Sequence, residues 1–368
     1  MNTKQQTETL EKCAVIIVVR DRFSTTNACL DAVIENTPEE HDLILVMGGV
    51  PPKVQSKLES RYHSKVRLIF THHFLNPAQA RNIGLRAAET RLAVLMDNDV
   101  YVKPGWLTPL IECQHETNGA MVVPVILEYD KEIHTAGNDL YMTYRNGEAF
   151  AHKELRFHGM AFDDETNLKR TRTDYGELHL QLVEVEAALK LGVYDEKIQE
   201  VGECDAGLTW AKAGRELWFE PRSVVNYEPP GRIEAEDIPI FVWRWDMRLI
   251  LKGYQHFYQK WGIDITEHGN FRNFLLGFNH KVGILPRLYP SKWTVLLDRY
   301  LRGAGQNLVK VVLMPVSFWR RIKAYYLGYY EWPRSLRDEN WQLNMNSMPR
   351  ETKIEKREGV VHANPRNT

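Results

Sequence analysis

The sequence lacks several features that would assign it to a common class of protein. Its four cysteines, Cys13, Cys29, Cys113 and Cys204, lie far apart, so neither a disulfide framework nor a zinc-finger spacing is present. No apolar run reaches the roughly 18 residues of a membrane-spanning helix, and the polar N-terminus lacks the apolar core of a signal peptide. The formal net charge of −1 gives no electrostatic case for nucleic-acid binding. We therefore expect a cytoplasmic protein, free or peripheral on the cytosolic face of a membrane.

Two common nucleotide-binding fingerprints are also missing. No Gly-x-Gly-x-x-Gly follows the first predicted strand, and no Gly-x-x-x-x-Gly-Lys-Ser/Thr occurs. Their absence argues against the dinucleotide-binding and P-loop classes. The composition is that of a globular protein, with 43% hydrophobic and 26% charged residues. A chain of 368 residues is long enough for about two domains.

Apolar strand patterns alternate with amphipathic helices through the first third of the chain. The strand patterns cover residues 13–19, 43–47, 66–70, 92–96 and 120–127. Single helices between successive strands predict an α/β fold with a doubly wound, mostly parallel sheet. Such sheets bind ligands beyond the carboxyl ends of their strands. We expect Arg20-Asp21, Gly48-Gly49 and Asp97-Asn98-Asp99 to lie together on that edge.

Asp97-Asn98-Asp99 directly follows the apolar run Leu92 to Met96. A buried charge is costly unless it is paired or binds a metal. Carboxylates in an Asp-x-Asp spacing suit a hard divalent cation that keeps some of its water ligands and also binds phosphate oxygens. The alternative is a turn in which the three side chains only cap backbone groups. The tripeptide alone leaves both interpretations open.

Two further motifs lie near predicted helix starts. Arg81 and Asn82 follow Pro77 in a helix that begins beside the strand ends, where a helix N-terminus can bind an anion. An ordinary surface ion pair is the alternative for Arg81. Glu203 and Asp205 begin a later helix, where acidic residues also simply favour the helix dipole.

The composition changes after Pro229-Pro230-Gly231, and residues 232–330 read as an aromatic-rich helical extension. Trp243 and Trp245 could stack on a sugar, although packing onto the preceding domain is the alternative. Residues 284–330 combine basic, apolar and aromatic residues, which suits either peripheral contact with a membrane or an intramolecular bundle. Residues 331–368 are polar without periodicity and predict a disordered tail, as residues 1–12 predict a flexible N-terminus.

Two stretches of the chain resemble the family 2 glycosyltransferases of the GT-A fold. They are NPAQARNIGLRAAETRLAVLMDNDVYVKPGW and, about a hundred residues on, GVYDEKIQEVGECDAGLTWAKAGRELWFEPRSVVNYEPP. The matching motif residues, in chain order, are Ala80, Arg81, Asn82 and Gly84, then Asp97 and Asp99, then Glu203 and Asp205, and finally Ala213-Gly214. The resemblance implies a GT-A domain over residues 13–231, followed by the C-terminal helical extension.

The resemblance also implies an activity: inverting, hexosyltransferase-like transfer of a sugar from a nucleotide-diphosphate donor. The acceptor would be the hydroxyl of a glycan, a lipid-linked sugar or another molecule, in polysaccharide, glycolipid or other glycoconjugate synthesis. Asp97 and Asp99 would hold Mg²⁺ or Mn²⁺, Glu203 would be the base, and Asp205 the second acidic residue. The implied donor-binding residues are Arg20, Asp21, Arg81, Asn82, Asp97 and Asn98.

Three positions depart from the family pattern. Met47-Gly48-Gly49 replaces a turn with an aspartate that meets the nucleotide, Tyr227 replaces a metal-binding histidine, and Glu203 replaces the aspartate base. They leave open an inactive nucleotide-sugar-binding or scaffold relative. A sugar-1-phosphate nucleotidyltransferase is a further alternative, but the first strand is not followed by the Gly-rich basic loop that this class needs.

Overall fold

The computed structural model describes residues 11–265, except for 39, 146, 164–166, 229–233 and 245–246. The predictions for Trp245, for residues 284–330 and for the tail 331–368 lie outside the described residues. The strands are β1 (Cys13–Val18), β2 (Asp42–Gly48), β3 (Arg67–Thr71), β4 (Leu92–Asp97), β5 (Val100–Val102), β6 (Met121–Glu128), β7 (Glu132–Thr135), β8 (Asn138–Arg145), β9 (Glu148–Leu155), β10 (Thr171–Arg172), β11 (Leu180–Glu184), β12 (Leu217–Tyr227) and β13 (Ile263–Asp264). The helices are α1 (Thr26–Asn36), α2 (Pro52–Tyr62), α3 (Pro77–Ala87), α4 (Thr108–Thr117), α5 (Val185–Leu191), α6 (Gly202–Lys212), α7 (Ile238–Arg244) and α8 (Met247–Trp261), with a 3-10 turn over Ala235–Asp237.

One large sheet organises the described part of the chain, in the order β10-β12-β6-β11-β4-β1-β2-β3. β4, β1, β2 and β3 are parallel neighbours, and β6 pairs in parallel with β12. β11 lies antiparallel between β4 and β6, so both of those strands run in the same direction. The predicted α/β fold with a mostly parallel, doubly wound sheet is therefore confirmed. β1 and β4 are buried along their whole length, as their apolar runs predict.

The helix that carries the Ala-Arg-Asn motif, α3, packs directly on the central strand. Asn76 and Gln79 form a reciprocal capping box at its start, with Pro77 in the first turn. Gly84 faces β1 so closely that a Cβ there would lie 2.2 Å from Cγ2 of Ile16. The small size of Gly84 lets α3 lie close to β1. At this distance from the sheet, Arg81 on α3 reaches Asp97 at the end of β4.

The segment between β6 and β11 contains most of a second, smaller sheet. β8 and β9 form an antiparallel hairpin, and β13 joins β9 to make a second, three-stranded sheet. A separate apolar cluster joins this small sheet to α8, with Tyr175, Phe257 and Trp261 among its buried members. The hairpin matters for function because it brings Lys153, on β9, to the start of α6.

β12 is one continuous strand over Leu217–Tyr227, with a shift in register between Glu220 and Val224. Pro221 lies at that shift and has no N–H to donate to the ladder. Pro221 therefore marks an irregularity inside a continuous strand. β12 ends at Tyr227, next to the carboxyl-end edge of the sheet.

Candidate active site

The carboxyl end of β4 carries Asp97, which is held by a fully buried arginine. Arg81 Nη2 lies 2.5 Å from Oδ1 of Asp97, and the same guanidinium donates to the carbonyl oxygens of Pro77 and Leu178. The guanidinium of Arg81 is therefore engaged by groups of the protein itself. Arg81 thus fixes Asp97 and the segment before β11.

Asp99, two residues on, is buried but poorly compensated. Its Oδ2 lies 3.8 Å from Nη1 of Arg20, whereas its Oδ1 has no hydrogen-bond partner among the described residues. Burial, reinforced by the charges of Asp97 and Asp21 and opposed by Arg20, raises the pKa of Asp99 to about 8. Among the described residues, Arg20 therefore compensates the charge of this group only in part.

A histidine that the sequence analysis did not single out completes the cluster. Asp97, Asp99 and His179 each offer a potential ligand atom, and these atoms all lie within 4.8 Å of one another. His179 Nδ1 is 3.6 Å from Oδ2 of Asp97, because β11 pairs with β4 and the carbonyl of His179 accepts from the N–H of Asp97. Burial, assisted by the charge of Arg20, lowers the pKa of His179 well below its usual value. Two carboxylates and a neutral imidazole are a ligand set that fits a divalent metal ion.

Arg20 and Tyr227 line the same cluster. Nη1 of Arg20 lies 3.4 Å from His179 Nδ1 and 3.4 Å from the hydroxyl of Tyr227. The Tyr227 ring stacks on His179 with centroids 4.0 Å apart. Burial raises the pKa of Tyr227, so its hydroxyl stays protonated. Tyr227 therefore contributes a neutral hydroxyl and an aromatic wall at this position.

Asn98 and Asp21 shape the loop that follows β1. The Asn98 side chain accepts from the N–H of Arg20 and donates to the carbonyl of Arg22 and the hydroxyl of Thr26. Asp21 is buried, with Oδ1 3.5 Å from Nε of Arg22. Asn98 thus ties the ends of β1 and β4 together and positions Arg20 at the rim.

Asn82 points to a different part of the chain. Its amide donates to the carbonyl of Tyr194 and to Oε1 of Glu196, each at 2.9 Å. Neither partner belongs to the acidic cluster. A contact between Asn82 and a donor remains a prediction.

The departure at Met47-Gly48-Gly49 has a steric cause. A Cβ on Gly48 would lie 2.5 Å from the carbonyl oxygen of His73, and Gly49 has a φ of +64° with Phe74 packed against it. An aspartate therefore fits at neither glycine. Trp243 packs on Phe74 with ring centroids 5.5 Å apart, so its observed contact is packing beside this turn.

The two acidic residues of α6 have different environments. Glu203 is paired with Lys153, with Oε1 and Nζ 2.5 Å apart and both side chains only 12% exposed. Asp205 is fully buried, accepting from Nε1 of Trp261 at 2.7 Å and pairing with Nζ of Lys260 at 2.8 Å. Asp205 therefore joins α6 to α8, whereas Glu203 faces the hairpin.

Glu177 connects the Glu203 side of the site with the histidines. Burial raises the pKa of Glu177, and the negative charge of Glu203 raises it further. The positive charges of Lys153, His134 and Arg20 lower this pKa and so oppose the shift. His134 Nδ1 is buried without a hydrogen-bond partner among the described residues. The acidic cluster and Glu203 thus belong to one electrostatically connected region.

The mostly parallel sheet carries the acidic cluster at the carboxyl ends of its strands, where open α/β sheets bind ligands. Residues 14–171, less than half of the chain, match the family described as Glycosyl transferase family 2. This part of the chain is similar to that family, in agreement with the resemblance of its motifs.

One similar solved structure is that of GalNAc-T7 with UDP, GalNAc and Mn²⁺, at 16% identity and a TM-score of 0.48. The similarity covers 73% of this chain and 56% of the other, so this chain spans little more than half of that structure's length. A search of curated proteins finds no significant match. Among the described residues, no helix has both the length and the hydropathy to cross a membrane.

Proposed function

We propose that the protein transfers a sugar, with inversion, from a nucleotide-diphosphate sugar to an acceptor hydroxyl. The observation that carries this proposal is the cluster of Asp97, Asp99 and His179 in a chain similar to family 2 glycosyltransferases, with Oδ1 of Asp99 buried and unpartnered among the described residues. A buried carboxylate of this kind is costly unless a cation compensates it. A divalent ion that also contacts the donor diphosphate would satisfy it.

Asp97, Asp99 and His179 would hold this ion, Mg²⁺ or Mn²⁺. When bound, it would supply positive charge against the departing nucleoside diphosphate. An imidazole ligand suits Mn²⁺ better than Mg²⁺, which prefers oxygen ligands and retained water. We therefore expect Mn²⁺ to support activity better than Mg²⁺ does.

The protein's own cation at this site is Arg20. Because it lies beside Asp99, His179 and Tyr227, its guanidinium is placed to donate to a diphosphate oxygen. Arg81 and Asn98 would not contact the diphosphate themselves. Arg81 binds Asp97, and Asn98 accepts a hydrogen bond from the backbone N–H of Arg20. We assign these two residues to positioning rather than to direct donor contact.

Glu203 is our proposed general base. Its pairing with Lys153 favours the carboxylate, which is the form that accepts a proton from the acceptor hydroxyl. Lys153 can also help to hold the acceptor as it approaches. Asp205, with its charge directed to Lys260 and Trp261, would affect transfer only by holding α6 against α8.

The test compares Asp99→Asn with the wild type in Mn²⁺-dependent release of nucleoside diphosphate from donor sugars. We expect a loss of about 1,000-fold, because the principal uncompensated ligand disappears. Asp130→Asn is the matched control, since Asp130 is half-exposed and pairs only with Lys103 among the described partners. Full activity in Asp99→Asn would contradict the proposal.

A second candidate is a nucleotide-sugar-binding relative without turnover, and the close Lys153–Glu203 pair supports it, because a base held by a lysine accepts a proton less readily. A thermal-shift screen of nucleoside diphosphates with and without Mn²⁺ distinguishes the two when combined with the turnover assay. Both candidates predict a metal-dependent rise in melting temperature, but only the enzyme consumes donor.

The donor sugar, the acceptor class and the hexosyltransferase assignment remain parts of this proposal. So do the domain limits at 231 and 330, although α7 and α8 show that residues 238–244 and 247–261 are helical. Peripheral membrane contact through 284–330 and a cytoplasmic location stay predictions.

A further inference from the structure

A second group of potential metal ligands adjoins the acidic cluster. His134, on β7, lies against Glu177 and His179, which precede β11, and one ligand atom from each lies within 4.8 Å of the other two. We propose that His134, Glu177 and His179 form a second site, which shares His179 with the acidic cluster, for a transition-metal ion of the zinc type. This inference is independent of sugar transfer, because it concerns metal binding by the protein alone.

The chemistry of the three side chains sets the class of ion. Two imidazoles and one carboxylate are a common protein ligand set for zinc, and they leave a fourth position open for water or another ligand. Asp97 and Asp99 offer oxygen instead, which suits a harder ion. Tetrahedral coordination with bonds of about 2.1 Å separates ligand atoms by about 3.4 Å. Rotamer adjustments of about 1 Å would therefore close the group around an ion.

A second observation points to a ligand at this position. Nδ1 of His134 is buried, and it neither accepts nor donates a hydrogen bond within the part of the chain that the structure describes. The closest carboxylate oxygen, Oε1 of Glu128, is 3.5 Å away, which is too long for a good hydrogen bond. A buried ring nitrogen left in this state is costly, and a metal ion would relieve that cost.

Neighbouring groups hold the two rings in place before any ion binds. The rings of His134 and His179 meet edge to face with centroids 5.2 Å apart, and Tyr227 packs against both. His158 approaches from the other side, with its Nδ1 2.9 Å from the carbonyl oxygen of His134. Such surrounding contacts pre-orient ligands and raise metal affinity.

The test must separate this group from the acidic cluster, because His179 belongs to both. His134 and Glu177 belong only to the proposed site, and Asp99 only to the acidic cluster. The full chain is stripped of metal and titrated with Zn²⁺ by calorimetry, and with Co²⁺ by visible absorption, which reports tetrahedral coordination. No nucleotide sugar is present, so failure of the transfer proposal does not affect the result.

We expect Asp99→Asn to keep Zn²⁺ binding and the Co²⁺ spectrum, whereas His134→Asn and Glu177→Gln each weaken binding at least about 100-fold. His115→Asn is the matched control, because it removes a half-exposed imidazole that pairs with Glu11 and belongs to neither ligand group. Circular dichroism and thermal unfolding confirm that each variant folds. Unchanged Zn²⁺ affinity in Glu177→Gln and His134→Asn, or its loss in Asp99→Asn alone, would overturn the proposal.

Discussion

The molecule places two carboxylates two residues apart in two different regions, and the two pairs have opposite environments. At the end of β4, Asp97 has a full partner in Arg81, but Asp99 has one oxygen unpartnered among the described residues. At the start of α6, both Glu203 and Asp205 have close cationic partners. Identical spacing in the sequence therefore does not imply identical roles.

The difference shows which carboxylates serve the fold and which serve a ligand. Asp205 holds Trp261 and Lys260 and so joins two helices. Asp99 is buried at a cost that no described neighbour offsets fully. Functional sites commonly keep such destabilising groups, whose cost is recovered when a ligand binds. Each prediction below tests this contrast, in order of decreasing effect.

The largest effect is expected from Glu203→Gln. It keeps the side-chain shape but removes the proton acceptor, so kcat should fall about 100-fold or more with little change in donor KM. Initial-rate kinetics with varied donor measure both constants. Glu112→Gln is the control, because Glu112 is a half-exposed glutamate that pairs with Arg222 instead. A proportional rise in KM at unchanged kcat would assign Glu203 to binding.

The next effect is the pH dependence of Mn²⁺ binding. The pKa of Asp99 is raised to about 8, so in the metal-free protein this group is mostly protonated at pH 6 and must lose its proton to bind a cation. The pKa of His179 is lowered, so its imidazole is already neutral over this range. Affinity should therefore rise about 50-fold from pH 6 to pH 8 and level off above.

Calorimetric titrations with Mn²⁺ at pH 6, 7, 8 and 9, in buffers of different ionisation enthalpy, measure this dependence and the protons released. The same titrations on Asp99→Asn provide the control, because they remove the titrating group. An affinity that is flat between pH 6 and 8 in the wild type would show that Asp99 is ionised before the metal arrives.

Much of the acidic rim could be predicted from the sequence, and the reason is local. The apolar run Leu92 to Met96 predicts a strand buried on both faces, so Asp97 and Asp99 had to follow its end. His179 could not be found in this way. It reaches Asp97 only because β11 inserts antiparallel between β4 and β6, and no local pattern encodes that pairing.

The roles of Glu203 and Asp205 could not be distinguished from sequence for a similar reason. Lys153 lies 50 residues before Glu203, and Trp261 lies 56 residues after Asp205. A helix start rich in acidic residues predicts only a favourable interaction with the helix dipole. Lys153, on the β8–β9 hairpin, and Trp261, on α8, distinguish the candidate base from the structural residue. Both partners come close to α6 only when the chain folds, so the local sequence does not reveal them.

A moderate loss of stability is expected from Asp205→Ala. The substitution leaves the indole N–H of Trp261 without its buried acceptor, which costs about 2 kcal/mol of unfolding free energy. Lys260 loses less, since its side chain is 27% exposed and Asp195 remains 3.3 Å away.

Urea unfolding measures this loss of stability. The matched control is Glu216→Ala, which removes an exposed pairing with Arg172 and should cost well under about 1 kcal/mol. Equal effects for the two variants would mean that the α6–α8 contact does not depend on Asp205.

The smallest effect has the opposite sign and separates the two regions most clearly. A carboxyl whose folded pKa is raised, here to about 8, contributes its full stability only below its unfolded pKa of about 4, and that contribution is lost progressively as the pH rises from there through 8. Without metal, Asp99→Asn should therefore increase stability already at pH 6 and increase it by a larger amount at pH 9. With saturating Mn²⁺ the order reverses, because only the wild type gains binding free energy. Urea unfolding under these conditions distinguishes a ligand-binding carboxylate from a structural one, since Asp205→Ala destabilises the protein with or without metal.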